Sequence, residues 1–236
     1  MPSEHISKKF DAELEGVRSR VLQMGGLVEQ QINRAMEALA NGDMTLADQV
    51  IVDDHRVNAL EVGIDDDCTH IIAKRQPTAG DLRMVMAVVK TITDLERIGD
   101  EAQKIARMAK LTYGREHSAS PRFAEVHYMS SVALEMLKTA LDAFARLDVA
   151  AAAKVVKQDK IVDEQFRGIM RQLVTFMMED PRTISACIDI LFIAKAIERI
   201  GDHAKNMSEY VVYLVKGKDV RHITAEEFER ETSSPD

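Results

Sequence analysis

The sequence predicts an all-α protein, two tandem three-helix bundles related by an internal repeat, and three observations carry that reading. Apolar residues recur at helical spacing along almost the whole chain. Ala, Leu, Ile, Val and Met carry the apolar load, with aromatics at 5%, no Trp and only five prolines, a balance that favours long helices over sheet. Finally, Glu96-Arg97-Ile98-Gly99-Asp100 returns 102 residues later as Glu198-Arg199-Ile200-Gly201-Asp202.

After a loose leader over residues 1–7, the first helix is expected from about Lys8 to Ala40, on Phe10, Leu14, Val17, Val21, Met24, Val28, Ile32, Met36 and Leu39. Gly25-Gly26 inside it is costly and reads as a close helix crossing in preference to a hinge. Asn41-Gly42-Asp43 stops this helix, and Asp43 suits the N-cap of the next. The second helix is expected to run unbroken from Met44 to about Arg75, with Val50, Val57, Leu60, Ile64, Cys68 and Ile71 on its apolar side. Beside them Asp54, Asn58, Glu61 and Asp65 form a second stripe, for which a solvated face is the plain alternative. Gln76-Pro77 breaks the helix, and Thr78 with Asp81 resembles a capping pair for the third, which runs to about Tyr113.

Gly114 to Ser120 reads as a linker, and Ser120-Pro121 as a helix start. The pattern then begins again at a shift of 105, matching Met24 to Met129, Ala35 to Ala140, Asp43 to Asp148, Val50 to Val155 and Asp54 to Asp159, with Asp163 in the place of Asn58. One helix ends near Arg146, the next is capped by Asp148 and runs to about Glu179, and Asp180-Pro181 leads into a last helix from Ile184 to Lys216, closed by Gly217. The drop in shift from 105 to 102 falls at the turns around Pro77 and Pro181, where deletions are tolerated. Short turns make neighbouring helices antiparallel. Residues 1–115 are thus expected as the first three-helix unit and 118–217 as the second. Residues 218–236 form a tail in which Thr224 and Glu227 fit a capping box.

The formal charge of −8 argues against nucleic-acid binding, which needs a basic face. No apolar run approaches a membrane span, and the N-terminus lacks a signal-peptide core, so a cytoplasmic location is expected. Cys68 and Cys187 form no metal or redox motif and read as buried or inert thiols. A P-loop, a dinucleotide-binding glycine loop, HExxH and a nucleophile elbow are all missing, so the signal for catalysis is weak.

The repeated motif itself points to a metal. Glu and Asp at i and i+4 share a helix face and repel, at a cost of roughly 0.2–0.5 kcal/mol. A mid-helix glycine costs about 1 kcal/mol more. A bound cation would turn both into uses. Residues equally far from an antiparallel turn lie level, because the rise per residue is the same on both helices. With the first turn near residue 76, Glu96 and Asp100 stand level with about 56 and 52, a stretch bracketed by Asp54 and Asn58. Glu61 is about a turn away, and Asp65 is further out. With the second turn near 181, Glu198 and Asp202 face about 164 and 160, where Asp163 and Asp159 stand. Carboxylates without His or Cys favour hard ions: Mg²⁺, Mn²⁺ or iron. Arg97 and Arg199 are expected as i,i+3 salt-bridge partners or as neutralisers behind the ligands. Two alternatives stand beside this: a di-metal carboxylate-bundle enzyme, and a purely structural scaffold with solvated acids. The Glu-x-x-His pairs of di-iron bundle enzymes do not occur.

Tandem three-helix repeats with E/D-x-x-x-D motifs, here Glu96–Asp100, Glu198–Asp202 and Asp159–Asp163, resemble the PhoU family. So do the stretches Met24–Gln31, Ala73–Ala79 and Tyr213–Asp219, and the likeness spans roughly residues 5–220. Asn58 departs from it, which predicts a first cluster that is weaker or drawn partly from Glu61. The resemblance implies a cytoplasmic, non-enzymatic homodimer that lowers expression of phosphate-starvation genes. It also implies two partners, the ATPase subunit of a phosphate ABC transporter and a phosphate-sensing membrane histidine kinase. Composition and spacing carry none of these.

Overall fold

The computed structural model describes residues 8–114, 124–221, 223 and 225–233. Its helices are α1 (Lys8–Asn41), α2 (Met44–Asp53), α3 (His55–Arg75), α4 (Ala79–Tyr113), α5 (Ala124–Arg146), α6 (Val149–Glu179), α7 (Ile184–Lys216) and α8 (Ala225–Ser233), with a 3-10 turn at Pro181–Thr183. No strand occurs among the described residues. The N-terminal leader, the linker beyond Gly114, the Ser120-Pro121 start and Thr224 of the tail's capping box lie outside them.

The helix ends follow local chemistry. Asp43 and Asp148 each accept the backbone N–H three residues on, from Leu46 and Ala151, and so cap α2 and α6. Thr78 differs from expectation: its hydroxyl donates to Asp81 rather than accepting from the α4 backbone. Gly217 ends α7 with φ +70°, a left-handed conformation that glycine adopts without cost. Gly42 does the same at φ +66°, but its repeat counterpart is Leu147, held at φ +55°.

The second helix is not continuous. Backbone dihedrals at Asp54 stay helical (φ −57°, ψ −31°), yet the hydrogen-bond ladder tightens there to Val57 N–H donating to the Asp54 carbonyl at 2.9 Å. The reason is a competing donor, since Gln103 of α4 reaches across to donate to the Ile51 carbonyl at 3.2 Å. The counterpart of Asp54 on α6, Asp159, sits in an unbroken helix.

The first bundle is α1, α2–α3 and α4; the second is α5, α6 and α7. They join along α4 and α7, which run antiparallel and carry much of the buried surface. Lys90 lies over the rings of Tyr210 and Tyr213 at 5.5 and 5.6 Å. Deeper in, His203 Nδ1 donates to Asp94 Oδ1 at 2.7 Å, and Asn206 Nδ2 donates to the same oxygen at 3.2 Å. A second crossing brings α1 onto α5, where a Cβ on Gly25 would lie 2.5 Å from Leu141 Cδ2. Gly25 therefore marks a close helix crossing, whereas a Cβ on Gly26 would meet nothing within 4 Å. One apolar core runs through both bundles, including Met24, Ile32, Ile64, Leu95, Ile98, Met129, Leu137, Phe144 and Ile197. In the tail, Phe228 of α8 is buried and α8 packs on α6.

Candidate metal centres

Each hairpin brings its acids together. In the first bundle Asp54 is buried, where it accepts from Gln31 Nε2 at 3.1 Å and from Asn58 Nδ2 at 3.5 Å. Gln31 Oε1 is buried with no hydrogen-bond partner. Gly99 makes room for this pair: a Cβ there would stand 3.1 Å from Gln31 Oε1 and 3.3 Å from Asp54 Oδ1. Burial raises the Glu96 carboxyl above its ordinary pKa, and the nearby charges of Asp100, Glu61 and Asp54 raise it further. Asp100 is raised by burial and then by Asp54 and Glu101, and Glu61 by burial and then by Asp65 and Asp100. These carboxylates thus lie in one another's field. Arg97 tempers it, lowering both Glu61 and Glu96. Asn58 is exposed and adds no charge, while Glu61 supplies the further acid.

The second bundle repeats the arrangement with cations built in. Asp202 is pushed up to about 6 by burial and then by Glu198, Asp159 and Asp163, with Lys195 opposing. Lys205 Nζ donates to the buried Asp159 at 2.6 Å, and Lys195 pairs with Glu198 while lying over the Phe166 ring at 5.4 Å. Asp163 faces Arg167 at a loose 4.0 Å. Among the described residues Glu61, Glu96 and Asp100 have no such ion pair. The first cluster therefore keeps its repulsion while the second is partly neutralised.

Among the described residues, no three His, Cys, Asp or Glu side chains converge closely enough to hold a metal ion. The donor chemistry still fits a hard cation: clustered carboxylates on facing helices, plus the unpartnered Gln31 oxygen beside Asp54. In the second bundle, the ammonium groups of Lys195 and Lys205 already pair with Glu198 and Asp159.

Arg199 is not a partner of its own cluster. It pairs instead with Glu101 of α4, a buried carboxylate that Lys104 also approaches at 3.4 Å. It does so because Glu101 lies on the α4 face turned towards α7, so the arginine finds its acid across the repeat boundary. Sequence reasoning missed Glu101, Asp94, His203 and Gln31. The available signal was polar residues recurring on the buried face, as in Thr91, Asp94, Ile98, Glu101 and Ile105. Glu209 was missed as well; burial and Asp159 push its carboxyl up to about 7 against the pull of Lys205. A cleft of about 600 Å³ opens elsewhere, between α1 and α3, and two of its lining charges pair with each other, Arg20 with Asp67.

The PhoU domain model matches residues 21–109 and 126–211, the two halves of the repeat. The chain is 50% identical over 228 residues to the phosphate-specific transport system accessory protein PhoU of Serratia marcescens, covering 97% of this chain and 93% of that one. It is 48% identical over 228 residues to the protein of that name from Escherichia coli, with 97% and 94% covered. The crystal structure of PhoU from Pseudomonas aeruginosa superposes with a TM-score of 0.85 at 48% identity, over 89% of this chain and 100% of that one. The phosphate transport system regulatory protein PhoU of Streptococcus pneumoniae gives 0.83 at 29% identity, over 89% and 99%. The twofold match of the domain model and the near full-length identities agree with the duplicated bundles described above: the chain belongs to the PhoU family.

Proposed function

We propose that this chain is a cytoplasmic regulatory accessory of phosphate uptake. In this reading it represses the phosphate-starvation response and modulates the phosphate ABC transporter, working as an adaptor rather than by turnover. Its partners are the transporter's ATPase subunit and a phosphate-sensing membrane histidine kinase, and the working form is a homodimer. The observation that carries the reading is near full-length identity of about half the residues to named phosphate-transport accessory proteins. An acidic chain in which no described helix is long and apolar enough to cross a membrane is consistent with it.

Within this role the acidic clusters would hold hard metal ions, Mg²⁺, Mn²⁺ or iron. Asp54, Glu61, Glu96 and Asp100, with Asn58 at the edge, would serve in the first bundle, and Asp159, Asp163, Glu198 and Asp202 in the second. The ion would supply positive charge that relieves carboxylate repulsion and ties the two helices of each hairpin together. Arg97 would offset excess negative charge beside the first cluster.

Two experiments test this. Pull-downs from cells grown with and without phosphate should recover transporter and kinase with the native protein, and less of either with Glu198→Ala. Metal analysis of purified protein should find bound metal that the Asp159→Ala/Asp163→Ala double variant loses in its second half. Recovery of neither partner under either condition would overturn the adaptor reading, and metal content unchanged by the double variant would remove the second site.

A further inference from the structure

The repeat makes α4 and α7 counterparts, so the antiparallel joint between them has two equivalent ends. Cations gather at the end where α4 begins and α7 stops. Arg83 and Lys90 stand seven residues apart on α4, two turns along one face. Lys90 is held over the rings of Tyr210 and Tyr213. Arg83 lies against the end of α7, where a Cβ on Gly217 would stand 3.5 Å from its Nη1 and 3.7 Å from its Cζ. Tyr213 links the two positions: its ring underlies Lys90, and its carbonyl accepts from the Gly217 N–H at 2.9 Å.

Packing of the joint does not require these charges. At its other end the 102-residue shift puts Ser185 and Phe192 in the places of Arg83 and Lys90, and Met108 and Leu111 in those of Tyr210 and Tyr213.

Neither cation is spent within the chain. Among the described residues Arg83 has no hydrogen bond or ion pair, and its Nε is buried without a partner, a costly state for a charged donor. Lys90 has only the two rings, which leave its ammonium donors open. The acid within reach of its field is Asp219, whose carboxyl is held low first by its hydrogen bond to Arg221 and more weakly by Lys90. Arg221 Nε already donates to both Asp219 oxygens, at 2.9 and 3.1 Å.

We infer that this groove binds a soluble ligand bearing a chain of two or three phosphoryl groups, with Arg83 gripping one end and Lys90 the other. A guanidinium fork matches two phosphoryl oxygens, and an ammonium serves as a point charge. Seven helical residues rise about 10 Å. One phosphate does not cover that span, whereas a di- or triphosphate reaches between the two side chains. Both cations are half-buried between the helices, which keeps a flat surface such as a membrane away from Arg83. Gly217 keeps the guanidinium open, since any side chain there would lie against it. The site is independent of the adaptor reading and of metal in the acidic clusters.

The test is calorimetric titration of the full chain, in buffer without added divalent metal, with tripolyphosphate, pyrophosphate and orthophosphate. Tripolyphosphate and pyrophosphate should bind more tightly than orthophosphate. Arg83→Gln and Lys90→Gln should each weaken them by about tenfold or more. Arg182→Gln, at an exposed arginine paired with Asp180, should stay within about twofold of the native chain. Amine acetylation read by mass spectrometry needs no variant: tripolyphosphate should protect Lys90 and leave the exposed Lys154 as reactive as before. Vesicles rich in phosphatidylglycerol should not displace it. The proposal is overturned if the native chain binds none of the three probes, or if binding survives both variants with Lys90 unprotected. Orthophosphate binding as tightly as tripolyphosphate would overturn the two-ended grip, and displacement by the vesicles would overturn the soluble ligand.

Discussion

Arg199 of the second repeat closes an ion pair on Glu101 of the first, and each directly follows a member of an acidic cluster, Glu198 and Asp100. The Glu101 side chain is 6% exposed and that of Arg199 is 43% exposed. Removing the arginine leaves a buried carboxylate with only Lys104 nearby. Arg199→Ala is therefore expected to cost about 1–2 kcal/mol, lowering Tm by about 2–8 °C for a chain of this size. Arg97→Ala, at a residue without a described ion pair, should stay within about 0.5 kcal/mol. Thermal unfolding of the two variants side by side checks the contrast.

The two motif glycines should respond differently to alanine. A Cβ on Gly201 would meet Val162 and Met136 at 3.5–3.7 Å, ordinary contact distances. Gly201→Ala should thus gain helix propensity and stabilise by up to about 1 kcal/mol. At Gly99 the new methyl would press on Gln31 Oε1 and Asp54 Oδ1. That should cancel the gain and displace the buried acid of the first cluster. Urea midpoints for the pair, which should move in opposite directions or at least differ, decide it.

Acid pKa values raised in the folded state set the direction of pH dependence. Asp202 rises from 3.8 to about 6 and Glu209 from 4.5 to about 7, both first through burial. Between the unfolded and folded values the native state holds more protons than the unfolded chain. The stability these groups contribute is present below about pH 4 and is lost as pH rises towards 7. Without added metal, the protein should melt higher at pH 5.5 than at pH 7.5. Glu209→Gln should flatten that slope, and addition of Mn²⁺ at pH 7.5 should restore part of the loss in the native chain.

Leu147 occupies the left-handed position that Gly42 fills in the first repeat. A side chain there costs about 1–2 kcal/mol, part of which is offset by the entropy glycine brings to the unfolded chain. Leu147→Gly should raise Tm by a few degrees, measurable by calorimetry, while Gly42→Leu should lower it.

The repeat, most of the helix ends and the placement of acids on the facing helices of each hairpin were legible in the sequence, the break at Asp54 being the exception among the ends. They depend on local rules: a fixed rise per residue places Asp159 and Asp163 opposite Asp202 and Glu198 once the turn is known. What stayed hidden depends on partners far along the chain. Nothing near Asp54 announces the ladder break, because its cause is Gln103, 52 residues from Ile51. Nothing near Arg199 points to Glu101 in place of Asp202. Nothing in the sequence marks Lys195 and Lys205 as the partners of Glu198 and Asp159.

The joint between α4 and α7 has a consequence for how the halves recognise each other. Asp94 meets His203 and Glu101 meets Arg199, yet by the 102-residue shift His203 is the counterpart of Glu101. If two copies of the first half paired in the same register, Asp94 would confront Glu101, acid against acid. Two copies of the second would set Arg199 against His203, donor against donor. In the first-half pair Glu101 would still meet Arg97, the counterpart of Arg199, so the joint disfavours self-pairing most in the second half, and fragments produced separately and mixed are expected to reassemble as one of each.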